Sequence, residues 1–417
     1  MAANNPWKTA ILAGMASYLD AGALVSAGVA VGALYAPALH LSSGAIGAII
    51  GLQTFMFAIG ALFGGRLGDR YGRRKVFTLS MVGFAIGALL LTIASSAAML
   101  YAGAIVIGLA IGADLPVSLA MVNEDAPEGK KGKMVAFSQI LWLAGILVTV
   151  ILTAGTAALG ATGGRILFGH LLVVSLLVLA LRLTMKESAE WTAARSRAAS
   201  ADSVQFKQLG QLFRGPVAAT VLAMALYYTT FNLGANTIGQ YGSYLWINLT
   251  GGTAEGFSIY NLASLPVGLI AGAVFLRIVD TESRRVWFAV AAVLNVVVWA
   301  LPIALGVTQT TLLVAVFMLG VNGAFCGETI YKVWSQELVP TLLRSTGQGV
   351  TIAVARVVAA AFAVVTPGMA LSSPNALFGI ITAAALVAAV VGIYWIPRLP
   401  RATDLETIPT ILEKVPV

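Results

Sequence analysis

Charged residues are scarce in this 417-residue sequence: they make up 10% of it, against roughly 25% in a typical soluble domain. Hydrophobic residues account for 59%. A water-soluble fold with this composition has too little polar surface to cover its apolar residues. The composition therefore excludes a soluble enzyme, a secreted disulfide scaffold and a disordered chain.

Cysteine and histidine are also scarce. The single cysteine, Cys326, excludes an internal disulfide and a cysteine-based metal site. The two histidines, His40 and His170, are far apart in the sequence and make a poor metal pair. The pattern GxxxxGKS or GxxxxGKT of a phosphate-binding loop is missing. We therefore expect no metal, no cofactor and no nucleotide site.

Long apolar segments recur along the whole chain, and each can cross a bilayer as a helix. They predict an all-α membrane protein with twelve transmembrane helices. The predicted helices lie roughly at 9–38, 44–65, 76–96, 98–122, 134–158, 164–185, 216–242, 254–277, 286–306, 310–334, 345–370 and 375–397. An even number of helices puts both termini on the same side of the membrane.

The basic residues indicate which side this is. Nearly all 25 Lys and Arg residues fall at the N-terminus, in every second loop or in the C-terminal tail, whereas the alternate loops carry only Arg165 and Glu255. Lys and Arg favour the cytoplasmic side. We therefore predict a multi-pass protein of the cytoplasmic (inner) membrane, surrounded by lipid, with both termini cytoplasmic. The net charge of +8 is then an orientation signal, and no nucleic-acid partner is expected.

The two halves of the chain carry related motifs. Asp69-Arg-Tyr-Gly-Arg73-Arg follows the second predicted helix, and Asp280-Thr-Glu-Ser-Arg284-Arg follows the eighth. A second pair of motifs, which begin at Glu124 and Glu337, recurs at nearly the same offset. The repeat predicts two pseudo-symmetric six-helix bundles. The predicted boundaries are 1–185 for the N-terminal bundle, 186–214 for a cytoplasmic linker, 215–398 for the C-terminal bundle and 399–417 for a cytoplasmic tail.

The segment 64–74, GGRLGDRYGRR, closely resembles the signature between helices 2 and 3 of the major facilitator superfamily. The resemblance covers essentially the whole chain and implies the major facilitator fold and transport by alternating access. Without a nucleotide site, transport would be driven by an ion gradient. The resemblance also implies a cytoplasmic gate of ion pairs between the halves, formed by Asp69, Arg73, Glu124, Arg284, Glu337 and Arg344. The alternative is that these charges only set the topology.

Further motifs resemble the sugar porters, including their inositol and polyol members. They are Glu187-Ser-x-x-Trp191, the segment Lys131–Gln139, and Glu337-x-x-Pro340 followed by Arg344. This resemblance implies proton-coupled uptake of a sugar or polyol by a monomer. In contrast, Gly112-Ala-Asp114-Leu-Pro116 is similar to phosphate and organic-anion porters. An organic-anion symporter, for a carboxylate or sugar acid, and a metabolite or drug exporter therefore remain as alternatives.

Five ionisable residues interrupt the apolar segments: Asp20, Asp114, Glu328, Lys332 and Arg356. A charge at the bilayer centre costs about 2.5–3.5 kcal/mol, so these residues are expected to face a water-filled cavity or each other. Asp20 matches the position of the coupling aspartate of proton-linked sugar porters, and Asp114 is the second candidate for carrying the proton. Glu328 and Lys332 are one helical turn apart and form either an internal ion pair or part of a site for an anionic substrate.

Polar and aromatic side chains on the same apolar segments are candidates for binding a small-molecule substrate. Amides and hydroxyls suit a polyhydroxylated ligand because they both donate and accept hydrogen bonds. Gln139 aligns with a sugar-contacting glutamine of the family, and Trp142 and Tyr228 are candidates for stacking on a sugar ring. The other candidates are Asn232, Asn236, Asn322, Glu328, Lys332 and Arg356. Interhelical hydrogen bonds are the alternative role for the amides.

Overall fold

The computed structural model describes residues 5–199, 212–213 and 215–406, and all regular structure within them is helical. Twelve helices in these ranges are long and apolar enough to cross a membrane, which confirms the predicted number. The first six are α1 (Pro6–Ser26), α2 (Ser43–Tyr71), α3 (Arg73–Thr92), α4 (Ala97–Asp125), α5 (Lys131–Thr156) and α6 (Ala161–Arg182). The next six are α7 (Gly215–Thr250), α8 (Ala254–Ile278), α9 (Arg284–Leu305), α10 (Gln309–Phe325 and Glu328–Leu338), α11 (Arg344–Ser372) and α12 (Pro374–Val390).

Two of the helices continue in a different helical form. A π-helix, Ala27–Tyr35, extends α1, and a second one, Val391–Trp395, extends α12. A short helix, Ala189–Ala199, follows α6. Polar side chains cap several N-termini; for example, Asn5 accepts hydrogen bonds from the backbone N–H groups of Trp7 and Lys8 at the start of α1.

The signature segment is helical over most of its length, although the sequence predicted a loop there. α2 continues to Tyr71, α3 begins at Arg73, and only Gly72 lies between them. Gly72 has a φ of 105°, a conformation that glycine adopts without steric cost. Asp69 and Arg73, at the two helix ends that meet here, have ion-pair partners inside the protein.

The chain divides into two compact units. The first contains the described residues up to Leu212 together with Pro340–Ala353, and the second contains Phe213–Val339 and the described residues from Val354 onward. The first turns of α11 therefore pack with the first unit, whereas the rest of this helix packs with the second.

Small residues bring the helices of the first unit close together. A Cβ atom at Gly112 of α4 would collide with the carbonyl oxygen of Phe57 on α2, and one at Gly64 of α2 would collide with the backbone of Ala113. At Gly145 of α5, a Cβ atom would meet the backbone of Tyr18 on α1. This spacing is typical of small-xxx-small helix packing in membranes.

Aromatic and aliphatic side chains fill the second unit. Trp246, Phe257, Trp299 and Phe378 belong to one buried cluster that joins α7, α8, α9 and α12. α10 is interrupted at Cys326 and Gly327. The phenol of Tyr227 donates to the carbonyl oxygen of Cys326 at 2.6 Å, so the interruption does not leave this buried acceptor without a donor.

Candidate functional site

Asp20 lies on α1 and is only 7% exposed. The indole Nε1 of Trp142, on α5, donates a hydrogen bond to its Oδ2 at 3.3 Å. Gln139 lies one helical turn before Trp142 and therefore on the same face of α5. The fold thus brings the candidate coupling residue against the helix that carries two candidate substrate residues.

Asp114, the other candidate for proton coupling, has a different environment. The guanidinium of Arg182, the last residue of α6, donates to its two carboxylate oxygens at 2.7 and 3.0 Å. The hydroxyl of Ser80 donates to Oδ1 at 2.7 Å. The carboxylate therefore accepts three hydrogen bonds from two side chains.

Sequence reasoning missed Arg182 because it assigned this residue to the cytoplasmic charges. The side chain is fully buried, and its guanidinium also donates to the carbonyl oxygens of Leu12 and Phe77. It lies over the ring of Phe77 at 3.5 Å from the centroid. No local pattern indicates this, because a hydropathy profile does not show that a terminal side chain reaches back into the bundle.

Asp69 connects the end of α2 to the first residues of α11. Its carboxylate pairs with Arg73 and accepts hydrogen bonds from the backbone N–H groups of Ser345 and Thr346 at 3.3 and 2.6 Å. The hydroxyl of Thr346 donates to Oδ2 at 2.5 Å. The side chain of Asp69 is fully buried. A Cβ atom at Gly65 would meet the carbonyl oxygen of Ser345, so glycine permits this close approach.

Arg73, Glu124 and Arg344 form a second part of the same cluster. Arg73 is fully buried, and its Nη2 donates to Glu124 at 2.8 Å and to the carbonyl oxygen of Thr341 at 2.7 Å. Arg344 donates to the same carboxylate at 3.2 Å. Four of the six predicted gate residues, Asp69, Arg73, Glu124 and Arg344, are therefore in one network within the first unit.

Two acidic residues that follow α6 also join this network, and the prediction did not include them. Glu187 accepts hydrogen bonds from the backbone N–H groups of Arg73 and Arg74, at the N-terminus of α3. Glu190 accepts a hydrogen bond from Arg344 at 3.0 Å and lies 3.6 Å from the ammonium of Lys131. The Glu187-Ser-x-x-Trp191 motif was the sequence signal that marked this region.

The charges around Glu190 outweigh its desolvation. Burial alone raises the pKa of this carboxyl. The cations of Arg344 and Lys131 and the hydrogen bonds to its oxygens together lower the pKa by more than burial raises it, so the pKa is below its usual value. Glu190 therefore remains ionised at neutral pH and strengthens the network.

The remaining two predicted gate residues form an ion pair in the second unit. Arg284, at the start of α9, donates to Glu337 near the end of α10 at 2.7 and 3.1 Å. Both side chains are partly exposed. The charges of each repeated motif therefore pair within their own unit. The ion pair of the second copy has fewer partners and is more exposed to solvent than the network of the first copy.

The interruption of α10 positions the next pair of charges. Glu328 is the first residue after the break, where the helix N-terminus favours a carboxylate. One turn later, the ammonium of Lys332 lies 3.0 Å from this carboxylate and is almost completely buried. Arg356 of α11 also acts electrostatically on Glu328. Glu328 is therefore close enough to interact with two cations.

Helix α7 carries a row of amides, hydroxyls and aromatic rings. Tyr228 is buried and stacks on Tyr331 with the ring centroids 3.8 Å apart. The side-chain amide of Asn232 donates to the carbonyl oxygen of Tyr228, and that of Asn236 donates to Asn232. A small cavity between α7 and α11 is lined by Asn236, Thr237, Gln240, Tyr241, Phe362 and Thr366.

Asn322 is engaged in an interhelical hydrogen bond. Its amide nitrogen donates to Oδ1 of Asn295 on α9 at 3.0 Å, and the indole of Trp299 donates to the same oxygen at 3.1 Å. Asn322 is 1% exposed. Within the described ranges, no group of three His, Cys, Asp or Glu residues is arranged to hold a metal ion.

Curated relatives match most of the chain. The minor myo-inositol transporter IolF of Bacillus subtilis (strain 168) is 29% identical over 357 residues, which cover 84% of this chain and 81% of that protein. The arabinose-proton symporter of the same organism is 25% identical over 369 residues, which cover 76% of this chain and 79% of that protein.

The fold also matches solved structures. The proton:xylose symporter XylE of E. coli, bound to 6-bromo-6-deoxy-D-glucose, superimposes with a TM-score of 0.74 at 17% identity. The match covers 95% of this chain and 96% of that one. At this identity, the likeness shows a shared fold.

The family assignment follows from the length of the sequence match and the twelve apolar helices. The Major Facilitator Superfamily profile matches residues 10–364, most of the chain, which confirms the resemblance of the 64–74 segment. The chain belongs to the Major Facilitator Superfamily and is a multi-pass membrane transporter rather than an enzyme.

Proposed function

We propose that this protein takes up a sugar or polyol together with a proton, by alternating access. The observation that carries the proposal is the buried carboxylate of Asp20, which accepts a hydrogen bond from Trp142 on α5. The names of the relatives, which include an inositol transporter and an arabinose-proton symporter, support the same substrate class.

Asp20 is the proposed proton carrier, and Asp114 is the less favoured candidate. A coupling carboxylate must lose and regain its proton during each cycle. Asp114 is engaged in a buried ion pair with Arg182 and also accepts a hydrogen bond from Ser80, so it already has a structural role in the first unit. In contrast, Asp20 is hydrogen-bonded to Trp142 on α5, the helix that carries two of the proposed substrate residues.

The proposed substrate residues lie on α5, α7, α10 and α11. Gln139 and Trp142 lie on α5, and Asn232 and Asn236 lie on α7. Asn236 also lines the small cavity. Tyr228, which stacks on Tyr331, and Asn322, which donates to Asn295, also belong to the proposed substrate residues. Glu328, Lys332 and Arg356 complete the proposed set.

The network around Asp69 is the proposed cytoplasmic gate, together with Arg284 and Glu337 in the second unit. A few kcal/mol is enough to bias a two-state equilibrium, and charge-assisted hydrogen bonds are of that size. The proposal also includes the cytoplasmic membrane as the location, both termini in the cytoplasm, a monomer, and the predicted bundle boundaries.

A second candidate function is proton-coupled uptake of an organic anion. The cluster of Lys332, Arg356 and Glu328 favours it, because two cations face one carboxylate.

Purified protein in proteoliposomes tests the proposal. The assay measures uptake of radiolabelled myo-inositol, xylose, arabinose and gluconate with and without an inward proton gradient. Gradient-driven accumulation of a neutral sugar or polyol that a protonophore abolishes is the expected result. Accumulation of gluconate alone would support the second candidate, and no gradient-dependent uptake of any of the four would contradict both.

A further inference from the structure

Trp142 is the side chain through which Asp20 contacts α5. Its indole N–H donates to the buried carboxylate at 3.3 Å, and its ring is half-buried. Gln139 lies one turn earlier on the same helix face. The carboxylate on α1 is therefore connected by one hydrogen bond to the helix face that carries both proposed substrate residues of α5.

We propose that Trp142 transmits the protonation state of Asp20 to the substrate site; this inference rests on the proposed function. When Asp20 is ionised, the indole donates to a carboxylate and forms a charge-assisted hydrogen bond, which holds the ring against α1. When a proton binds to a carboxylate oxygen, Asp20 becomes a neutral and weaker acceptor, and the ring is released to stack on the substrate. Proton and substrate then favour each other's binding.

Other titratable and charged groups lie around α1 in the described part of this unit. Tyr18, on the same helix, lies 3.4 Å from Nε2 of His170 on α6, and Asp114 of α4 is held by Arg182. The charged residues of α5, Lys131 and Lys133, lie in its first turn. Lys8 lies in the first turn of α1 and donates to Thr184. Among these groups, Asp20 is the carboxylate to which the indole of Trp142 donates.

A fluorescence titration of the purified full-length protein without substrate tests this coupling directly. Tryptophan emission is followed between about pH 5 and pH 9 for the wild type, Asp20→Asn and Trp142→Phe. Trp299→Phe is the matched control, because the indole of Trp299 donates to the amide of Asn295, which does not titrate.

The expected result is a pH-dependent step in the wild type that is lost in Asp20→Asn and in Trp142→Phe but retained in Trp299→Phe. A step that survives in either of the first two variants, is lost in the control, or is absent from the wild type overturns the inference. If Trp142→Phe does not fold, fluorine NMR of fluorotryptophan-labelled wild type and Asp20→Asn follows the same transition without changing the indole.

Transport supplies a readout that a merely structural role would not affect. The wild-type KM for its substrate should fall about fivefold between pH 8 and pH 6, whereas in Trp142→Phe it should change less than about twofold, because phenylalanine retains a ring but lacks the N–H donor. A KM that depends on pH equally in both proteins overturns the inference. The absence of sugar transport in the wild type, with the fluorescence step intact, would contradict the proposed function alone.

Discussion

The guanidinium of Arg182 donates to both carboxylate oxygens of Asp114, at 2.7 and 3.0 Å. Both side chains are buried, and the same guanidinium also donates to backbone carbonyls of α1 and α3. One side chain on α6 thus holds three other helices of the first unit. Because the pair is removed from water, the loss of either partner leaves an uncompensated charge inside the bundle.

Arg182→Met should therefore destabilise the protein by about 3–5 kcal/mol, the cost of breaking a buried ion pair. The measurement is the free energy of unfolding in mixed micelles with increasing denaturing detergent. Arg285→Met is the matched control, because Arg285 is exposed on α9 and its loss should have little effect. Equal stability of the two variants would show that the Asp114 ion pair does not hold the unit together.

Asp20→Asn should abolish proton-driven accumulation while counterflow exchange of the same substrate continues. Asparagine cannot carry a proton through the cycle, but it leaves the shape of the site unchanged. Asp114→Asn is the comparison: its folded fraction should still accumulate substrate, because this carboxylate serves the ion pair with Arg182. Normal accumulation by Asp20→Asn, or its loss only in Asp114→Asn, would transfer the coupling role to Asp114.

The helices were predictable from the sequence because a spanning helix must satisfy its backbone internally and be apolar for about 20 residues. The pairing of the charges was less predictable. Asp69 and Arg73 were identified by their motif, but their burial depends on residues 340–353, which are far away in the sequence. Arg182 lies next to a membrane end, where basic residues usually mark topology, so its inward direction could not be deduced.

The amides show a similar limit. A polar residue on an apolar helix binds a ligand or a neighbouring helix, and sequence position alone does not distinguish the two. Asn322 donates to Asn295, whereas Asn236 lines a cavity. The difference depends on which helix lies opposite, and that is a property of the packing.

Asp69→Asn should loosen the contact between α2 and the start of α11. The neutral amide loses the ion pair with Arg73 and accepts more weakly from Ser345 and Thr346. The measurement is the rate at which N-ethylmaleimide labels a Ser345→Cys variant in a Cys326→Ala background. Labelling should accelerate about tenfold or more, as expected for the loss of one charge-assisted hydrogen bond.

Asp280→Asn is the matched control for this gate experiment. Asp280 is the corresponding residue of the second repeat and is exposed, so its substitution should leave the labelling rate unchanged. An unchanged rate in Asp69→Asn as well would indicate that the network does not control access to this contact.

Acidification should weaken the same network through Glu190. Its pKa is lower in the folded protein than in the unfolded chain, so its contribution to stability is complete above its ordinary pKa of about 4.3 and is lost as the pH falls through the lower folded value. Glu190→Gln should therefore have a lower unfolding temperature than the wild type at neutral pH, and this difference should vanish in acid.

Thermal unfolding between about pH 3 and pH 7 measures this difference. Glu128→Gln is the control, because Glu128 is exposed and its ion pair with Lys131 contributes little. A difference between the wild type and Glu190→Gln that persists unchanged in acid would rule out the ionised carboxylate as its source.

The ion pair of Glu328 and Lys332 separates the two candidate functions. If Glu328 and Lys332 only neutralise each other, Lys332→Met alone should impair sugar uptake, because it removes the cation 3.0 Å from a mostly buried carboxylate. The double variant Glu328→Gln with Lys332→Met leaves no charge behind and should recover most of the uptake, with a coupling energy measurable in a double-mutant cycle. If Lys332 instead binds an anionic substrate, the double variant should fold normally, yet gluconate uptake should be lost in the double variant as completely as in Lys332→Met. Recovery in the double variant therefore supports a neutral substrate, and a persistent, anion-specific loss supports an acidic one.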